Sequence, residues 1–176
     1  LELDALAPPD RSLLPMSYYL RPTIMRNFFG CYVHMTGSRG CPAHCNFCSI
    51  PRLCSGRVRY HSPEYFVNEM EHLVRSYPVD FLYITDDSFL CDIARVEIIC
   101  NKIIARGLNR KVKWIAQTIA QYARVDIVRL MKKAGCVLLE CGFESGSPEE
   151  LSRMRKAGSV EVYTRFAGIA RNAGMW

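Results

Sequence analysis

After residue 30, apolar residues alternate between two spacings, one typical of strands and one typical of helices. Four short runs are rich in β-branched and aromatic residues and carry few charges, as expected for parallel strands buried on both faces. Helix-like stretches or turn residues separate each run from the next. The predicted strands cover residues 32–36, 81–85, 112–116 and 137–141.

The stretches between these strands carry apolar residues at helical spacing. Ser62 before Pro63 predicts a helix start, because serine caps a helix and proline suits its first position. Asp92 and Asp126 are the predicted caps of the next two helices. The predicted helix ends are Pro78, Gly107 and Gly135.

The same alternation continues after the fourth strand. Residues 147–150 read Ser-Pro-Glu-Glu, a capping box that predicts a short helix, and residues 160–173 predict another with Phe166, Ile169 and Ala170 inward. Strands joined by helices must lie parallel, with right-handed crossovers. We therefore expect an α/β fold with about four βα units, either a doubly wound sheet or a partial parallel (β/α) barrel.

Residues 1–30 differ in composition from the rest of the chain. Pro8, Pro9, Pro15 and Pro22 interrupt regular structure, and Leu1 is not an initiator residue. We expect 1–30 to be a linker from an upstream domain and 31–176 to be the amino-terminal part of a longer barrel. Four βα units make about half of an eight-unit barrel, so this stretch alone is expected to be inactive.

Composition limits the classes of protein, the cellular compartments and the partners that suit this chain. The 176 residues, 49% of them hydrophobic, suffice for a domain with a real core, and no run predicts a signal peptide or a membrane span. Nine cysteines without secretory features predict a reducing, cytoplasmic compartment. The net charge of +6 permits a nucleic-acid partner, but the basic residues are scattered. Their distribution favours solvated helix ends over a nucleic-acid face.

The first strand leads into a cysteine-rich loop, residues 37–52. Cys41, Cys45 and Cys48 are spaced C-x3-C-x2-C, and thiolates on one short loop are a metal-ligand pattern. Its glycine and proline residues favour a bent backbone that can approach a bound group closely. Three sulfurs can cap three irons of a cubane cluster, which leaves the fourth iron open to a small molecule.

Other interpretations of the cysteines remain open at this point. A zinc site would need a fourth ligand, and Cys31, His34, His44 or Cys54 can supply one. A disulfide is disfavoured without secretory features. The remaining cysteines are typical of small buried hydrophobes, and Cys100 lies on the apolar stripe of its helix.

Polar residues follow the other predicted strands, at the ends where barrel enzymes have their active sites. Carboxylates, hydroxyls and an amide can form hydrogen bonds with the polar and cationic groups of a small molecule. Each has a simpler explanation: the two aspartates can cap a turn, the glutamate can lie near a helix start, and the glutamine can be a surface amide. These candidates are Thr85, Asp86, Asp87, Gln117, Glu144 and Ser145.

The cysteine motif, with Phe47 just before its last cysteine, resembles that of radical S-adenosylmethionine (SAM) enzymes. The resemblance implies that Cys41, Cys45 and Cys48 ligate a 4Fe-4S cluster whose unique iron chelates SAM. It also implies that Phe47 lies near the adenine. Reductive cleavage of SAM would then start radical chemistry on a substrate that the sequence does not identify. An electron donor such as flavodoxin or ferredoxin is implied as a partner.

Further segments extend the resemblance to the branch that often carries an upstream cobalamin-binding domain. In that family, residues after the second strand contact the methionine amino group, here Thr85 to Asp87, and residues after the fourth contact ribose or methionine, here Glu144 and Ser145. The resemblance also implies cobalamin as a possible cofactor. It implies methyl transfer or a rearrangement as the reaction. No catalytic residue is assigned. The matching segments are 86–89, 114–124, 134–136 and 142–147.

Two other functions compete with this interpretation. One is a methylthiotransferase-like enzyme acting on tRNA or protein, which a second cluster or an RNA-binding appendage would favour. The other is a non-catalytic zinc or iron-sulfur binding module, which metal analysis would distinguish. A glycine-rich fifth strand, which contributes to the adenine site in the family, does not occur in these residues.

Overall fold

The structure is a computed structural model that describes residues 2–20 and 30–175. Its strands are β1 (Tyr32–Met35), β2 (Ser38–Arg39), β3 (Arg59–Tyr60), β4 (Phe81–Ile84), β5 (Lys113–Gln117) and β6 (Cys136–Glu140). Its helices are α1 (Met16–Tyr19), α2 (Ile50–Leu53), α3 (Pro63–Ser76), α4 (Ile93–Ala105), α5 (Val125–Lys133), α6 (Pro148–Arg153) and α7 (Val160–Asn172). Short 3-10 turns cover Leu3–Ala5, Arg11–Leu13, Phe89–Cys91, Leu108–Arg110 and Ala120–Tyr122.

The four predicted strands form one parallel sheet in the order β1-β4-β5-β6. The parallel strands follow one another in chain order, without the reversal that defines a doubly wound sheet. The α/β prediction is therefore confirmed, and the sheet is a partial (β/α) barrel. A register shift at Trp114 and Ile115 interrupts the pairing of β5 with β6.

Most predicted helix starts are confirmed, and one is wrong. Ser62 accepts a hydrogen bond from Tyr65 N, and Asp92 accepts one from Arg95 N. Asp126, in contrast, lies in the first turn of α5, and the residue at the cap position is Arg124. The Asp126 carboxylate forms an ion pair with the Arg124 side chain at 2.6 Å.

The capping box before α6 is half formed. Ser147 Oγ accepts a hydrogen bond from Glu150 N at 3.4 Å, as predicted. The reciprocal bond of a capping box, from Ser147 N to the Glu150 carboxylate, is not formed. Ser147 N donates to Ser145 Oγ instead, and Glu150 pairs with Arg153. The last predicted helix is confirmed as α7, in which Phe166 and Ala170 are buried.

A small antiparallel hairpin, which was not predicted, flanks the cysteine loop. Its strands β2 and β3 pair Ser38 with Tyr60 and Arg39 with Arg59. Two-residue strands are too short to show an alternating pattern, so sequence periodicity does not reveal them. The hairpin closes the base of the loop and sets where the three cysteines lie.

The core lies between the sheet and helices α3, α4 and α5. The largest fully buried side chain is Trp114, whose indole N–H donates to Ala134 O at 2.9 Å. Phe89 bridges it to Phe66 on α3, with ring centroids 5.5 and 5.7 Å apart. Burial of these aromatic rings contributes free energy that stabilises the packing of the helices against the sheet.

Residues 2–20, which belong to the predicted linker, contact the barrel at several points. Leu3 is buried, and Asp4 accepts hydrogen bonds from Ser62 N and pairs with His61. Arg11 forms an ion pair with Glu69 of α3 at 2.6 Å. Pro22 lies outside the described residues. Within the part of the chain that the structure describes, no helix is both long and apolar enough to cross a membrane.

Candidate active site

Three thiols of the cysteine loop line one cavity at the carboxyl end of the sheet. Cys41, Cys45 and Cys48 are each free and partly buried, and the cavity has a volume of about 460 Å³. Burial raises the pKa of the Cys41 thiol, and the nearby Asp87 carboxylate and the other two thiols add to the rise. The neutral thiol is therefore favoured in the metal-free protein, and binding a metal would release its proton.

A single residue, Asn46, anchors the far side of this loop to α6. Its backbone N–H donates to Met154 O at 3.0 Å, and its side-chain amide donates to Arg153 O at 2.6 Å. The segment that follows α6 contributes Lys156 to the cavity wall. The loop and the end of α6 are thus joined at the same edge of the cavity.

Asp86 follows β4 directly and is fully buried. Its Oδ1 accepts a hydrogen bond from Gly37 N at 2.5 Å, and its Oδ2 accepts one from Ser38 Oγ at 2.6 Å. Burial raises the pKa of Asp86, while the bonds from Ser38 and Gly37 act in the opposite direction. Both carboxylate oxygens are therefore engaged with the start of the cysteine loop.

Asp87 has a different position, since it lines the cavity itself. Its Oδ2 accepts a hydrogen bond from Gly40 N at 2.9 Å, one residue before Cys41. Among the described residues, none bonds its other oxygen. Asp87 can therefore hold the loop and still offer an acceptor to a cationic ligand.

The floor of the cavity is polar because three strands place hydrogen-bonding side chains on its inner face. Gln117 Nε2 donates to Tyr83 Oη at 2.9 Å and to Glu140 Oε2 at 3.1 Å, and the Tyr83 hydroxyl donates to Glu140 as well. Gln117 and Glu140 line the cavity. The network holds both side chains in place, which favours a pre-organised polar surface.

The part of the cavity wall that follows β6 and α6 carries an ion pair. Lys156 Nζ lies 3.0 Å from Glu144 Oε1 and 5.8 Å from the centroid of the Phe47 ring. Burial alone would lower the pKa of Lys156, but the bond and charge of Glu144 outweigh it, and the pKa is raised. Glu144 has a left-handed φ of 64°, which is uncommon for a residue other than glycine.

The structure brings some predicted site residues together and places others elsewhere. Phe47, Asp87, Gln117 and Glu144 line the cavity with the three cysteines. Thr85 Oγ1 lies 2.8 Å from Thr36 Oγ1, and Ser145 lines a neighbouring apolar groove. Their assignment as SAM contacts, like that of buried Asp86, stays a prediction.

The other cysteines occupy different surroundings. Cys100 and Cys136 are fully buried, as predicted for small apolar residues, and burial raises the pKa of Cys100 to about 12. Cys31 donates its S–H to Leu20 O at 3.3 Å. Over residues 2–20 and 30–175, no group of three or more His, Cys, Asp or Glu side chains has the spacing to hold a metal ion.

Three residues that contribute to the site were missed by sequence reasoning. Lys156 is the last basic residue of the stretch 153–156, which the sequence analysis interpreted as solvent-exposed. Asn46 is a single amide between two cysteines, and no motif marks it. Glu140 had a signal that was overlooked, because a carboxylate inside an otherwise apolar strand is expensive unless it has partners. Its partners, Tyr83 and Gln117, come from the two preceding strands.

The donor set fits an iron–sulfur cluster in its chemistry. Three thiols line one partly enclosed cavity, and cysteine sulfur is the usual protein ligand of such clusters. The same cavity holds acceptors and a cation beside the thiols, so a small zwitterionic molecule has complementary partners there.

Comparison with protein families identifies the chain. The model of the radical SAM superfamily matches residues 35–176, which is most of the sequence. The chain belongs to this superfamily of enzymes, and the resemblance found in the sequence is confirmed.

Curated relatives share part of their length with this chain. An uncharacterized methyltransferase of Pyrococcus horikoshii is 32% identical over 173 residues, covering 98% of this chain and 36% of the relative. An anaerobic magnesium-protoporphyrin IX monomethyl ester cyclase of Cereibacter sphaeroides is 31% identical over 141 residues, covering 79% of this chain and 23% of that protein. The chain therefore spans about a third or less of these two relatives.

Solved structures confirm the fold. The radical SAM methyltransferase TsrM of Kitasatospora setae, with cobalamin and a [4Fe-4S] cluster bound, gives a TM-score of 0.77 at 20% identity, covering 91% of this chain and 31% of TsrM. The cobalamin-dependent radical enzyme OxsB gives 0.73 at 21% identity, covering 86% of this chain and 23% of OxsB. At these identities the similarity concerns the partial barrel alone.

Proposed function

We propose that this chain is the cluster-bearing part of an enzyme that binds a 4Fe-4S cluster and SAM in the cavity described above. The observation that carries the proposal is the position of Cys41, Cys45 and Cys48 on the same cavity as the polar ends of β5 and β6. When bound, the cluster would supply the electron that cleaves SAM reductively.

The residues of the cavity suit the separate groups of SAM. Asp87 has an oxygen for the ammonium group, and Lys156 offers a cation for the carboxylate. Glu144 and Gln117 are hydrogen-bonding partners for ribose hydroxyls, and Phe47, which is exposed at the rim, can pack against the adenine. The polar network beneath them holds the floor rigid, so that binding costs little reorganisation.

Methyl transfer is the reaction we propose for the complete protein. It is supported by the relative from Pyrococcus horikoshii, which is named as a methyltransferase. Cobalamin dependence belongs to the same proposal, since TsrM and OxsB share the fold and bind cobalamin in their structures. A low-potential electron donor belongs to the proposal because reductive cleavage of SAM needs an electron. A reducing cytoplasmic compartment belongs to it because all nine cysteines are free.

Methylthiotransfer remains the second candidate. The ribosomal protein uS12 methylthiotransferase RimO of Stenotrophomonas maltophilia is 26% identical over 143 residues, covering 74% of this chain and 31% of RimO. A second iron–sulfur cluster in the complete polypeptide would favour this reaction over methyl transfer.

Anaerobic reconstitution of the complete polypeptide tests the cluster. Alanine at Cys41, Cys45 or Cys48 should remove about four irons and four sulfides per chain, together with the absorption that bleaches on reduction. Cys54→Ala and Cys100→Ala are matched controls that should retain both. Stoichiometric zinc after anaerobic purification, with no cluster after reconstitution, would refute the proposal in favour of a zinc module.

A further inference from the structure

The turn that leads from β1 into the cysteine loop is held by two buried charged residues on opposite sides. Gly37 N donates to Asp86 Oδ1 at 2.5 Å, and Gly37 O accepts a hydrogen bond from Arg95 Nη2 at 2.8 Å. Asp86 is 0% exposed and Arg95 is 6% exposed. The backbone N–H and C=O of Gly37 are therefore both fixed by charged side chains, which form stronger hydrogen bonds than neutral partners do.

Arg95 also joins the turn to the other strand of the hairpin. Its Nε donates to His61 O at 2.9 Å, and the His61 N–H donates to Gly37 O at 2.9 Å. The guanidinium lies over the rings of Tyr60 and Phe66, 5.2 and 5.7 Å from their centroids. The α4 helix thus reaches across the core to the base of the loop.

Packing leaves no room for a side chain at Gly37. A Cβ on Gly37 would lie 2.6 Å from Phe66 Cδ2 and 3.0 Å from Arg95 Nη2. Ser38, the next residue, gives its hydroxyl proton to Asp86 Oδ2 at 2.6 Å. The direction in which the chain leaves β1 towards Cys41 is therefore set by Asp86 and Arg95 together.

We propose that Asp86 and Arg95 are positioning residues that set the conformation of the cysteine loop for cluster binding, and that Asp86 does not bind SAM. This inference rests on the proposed function. Asp86 and Asp87 would then have separate roles. Asp86 acts on Gly37 and Ser38 inside the protein, while Asp87 faces the cavity and the ligand.

Asp86→Ala and Asp86→Asn in the complete polypeptide test the proposal. Alanine removes both loop contacts, whereas asparagine can still accept from Gly37 N and donate to Ser38 Oγ. We expect the alanine variant to lose iron to a chelator on the order of tenfold faster, the scale of one lost hydrogen bond to a charged group. Asparagine should restore most of the retention, and Arg95→Met should behave like the alanine variant.

Ile103→Ala is the control for general destabilisation, because Ile103 is fully buried in the carboxyl-terminal half of the same helix as Arg95. It should lower the melting temperature but leave iron retention and the spectrum of the reduced cluster unchanged. An alanine variant at Asp86 with parental iron retention and an unchanged spectrum, but weaker SAM binding, would overturn the proposal and make Asp86 a SAM ligand.

Hydrogen exchange in the metal-free polypeptide separates this inference from the proposed function. Peptides covering residues 37–48 should exchange faster in the alanine variant at Asp86 than in the parent, while peptides from α7 should not change. If the parent binds no cluster, the proposed function fails, yet this result still decides whether Asp86 orders the loop. Equal exchange of the loop in both proteins would refute the positioning role.

Discussion

The Lys156 ammonium lies 3.0 Å from the Glu144 carboxylate on the wall of the cysteine-lined cavity. The Lys156 side chain is 15% exposed and that of Glu144 is 36% exposed, so the cation is the better shielded member of the pair. A partly buried cation with one anionic partner can accept a second, and the SAM carboxylate is an anion of suitable size. Lys156 is the one cationic side chain among the described lining residues, and under the proposed function it would bind the carboxylate end of SAM.

Replacing Lys156 by methionine should weaken SAM binding. The change removes the cation but keeps an apolar stem of similar length, so the cluster should be retained. We expect a loss of about 1.5–3 kcal/mol, the value of one hydrogen bond to a charged group. Calorimetric titration with SAM measures it, and Lys113→Met, at the exposed start of β5, is the matched control. Unchanged affinity for SAM would show that Lys156 does not bind the SAM carboxylate.

Asp87→Asn should separate ligand binding from loop support. Asparagine can still accept a hydrogen bond from Gly40 N, so cluster content should stay near the parental value, while the charge that would face the SAM ammonium is lost. We expect SAM affinity to fall by about 1.5–3 kcal/mol. The measurement is SAM titration after iron analysis of the same sample. Loss of iron with unaltered affinity per cluster would assign Asp87 to loop support alone.

The buried ion pair between Arg11 and Glu69 should stabilise the attachment of the amino-terminal segment. Its side chains are 11% and 6% exposed, so Arg11→Met leaves a buried carboxylate without its partner. We expect this variant to lose about 3–5 kcal/mol of unfolding free energy. The double variant Arg11→Met, Glu69→Leu should recover much of the loss, because both charges are gone. Equal losses in the single and double variants would contradict this explanation.

The sequence predicted the regular elements well because local chemistry determines them. Ser62, Asp92 and Gly107 mark helix ends through caps that depend on neighbouring residues only. Asp126 failed as a cap because the helix begins at Val125, one residue before it, so that its carboxylate lies in the first turn beside Arg124. Parallel order followed from the βα alternation.

The candidate site could be predicted only in part. Cys41, Cys45 and Cys48 share one local motif, whereas the contact between Asp86 and Gly37 joins residues 49 positions apart. Adjacent aspartates look equivalent in sequence, yet alternation along the chain directs one inward and the other to the cavity. Lys156 depends on the folding of the segment after α6, which no short motif encodes.

Acidification should weaken the contact between Asp4 and the barrel before it affects the core. Burial acts to raise the pKa of Asp4, but hydrogen bonds from Ser62 and His61 outweigh it, and the pKa is lowered. A carboxyl with a depressed folded pKa contributes stability that is present above its unfolded pKa of about 3.9 and is lost as the pH falls through the folded value.

Urea unfolding of the parent and of Asp4→Asn across the acidic range measures this contribution. The parent should be more stable than the variant above about pH 4, and the difference should shrink towards zero as the pH falls below that value. Asp10→Asn is the comparison within the same segment, because among the described residues Asp10 bonds to Ser12 of its own turn and not to the barrel. Its effect therefore reports the local turn, whereas that of Asp4→Asn reports the attachment to the barrel. A difference for Asp4→Asn that persists unchanged at about pH 2 would show that the carboxylate charge does not hold the segment in place.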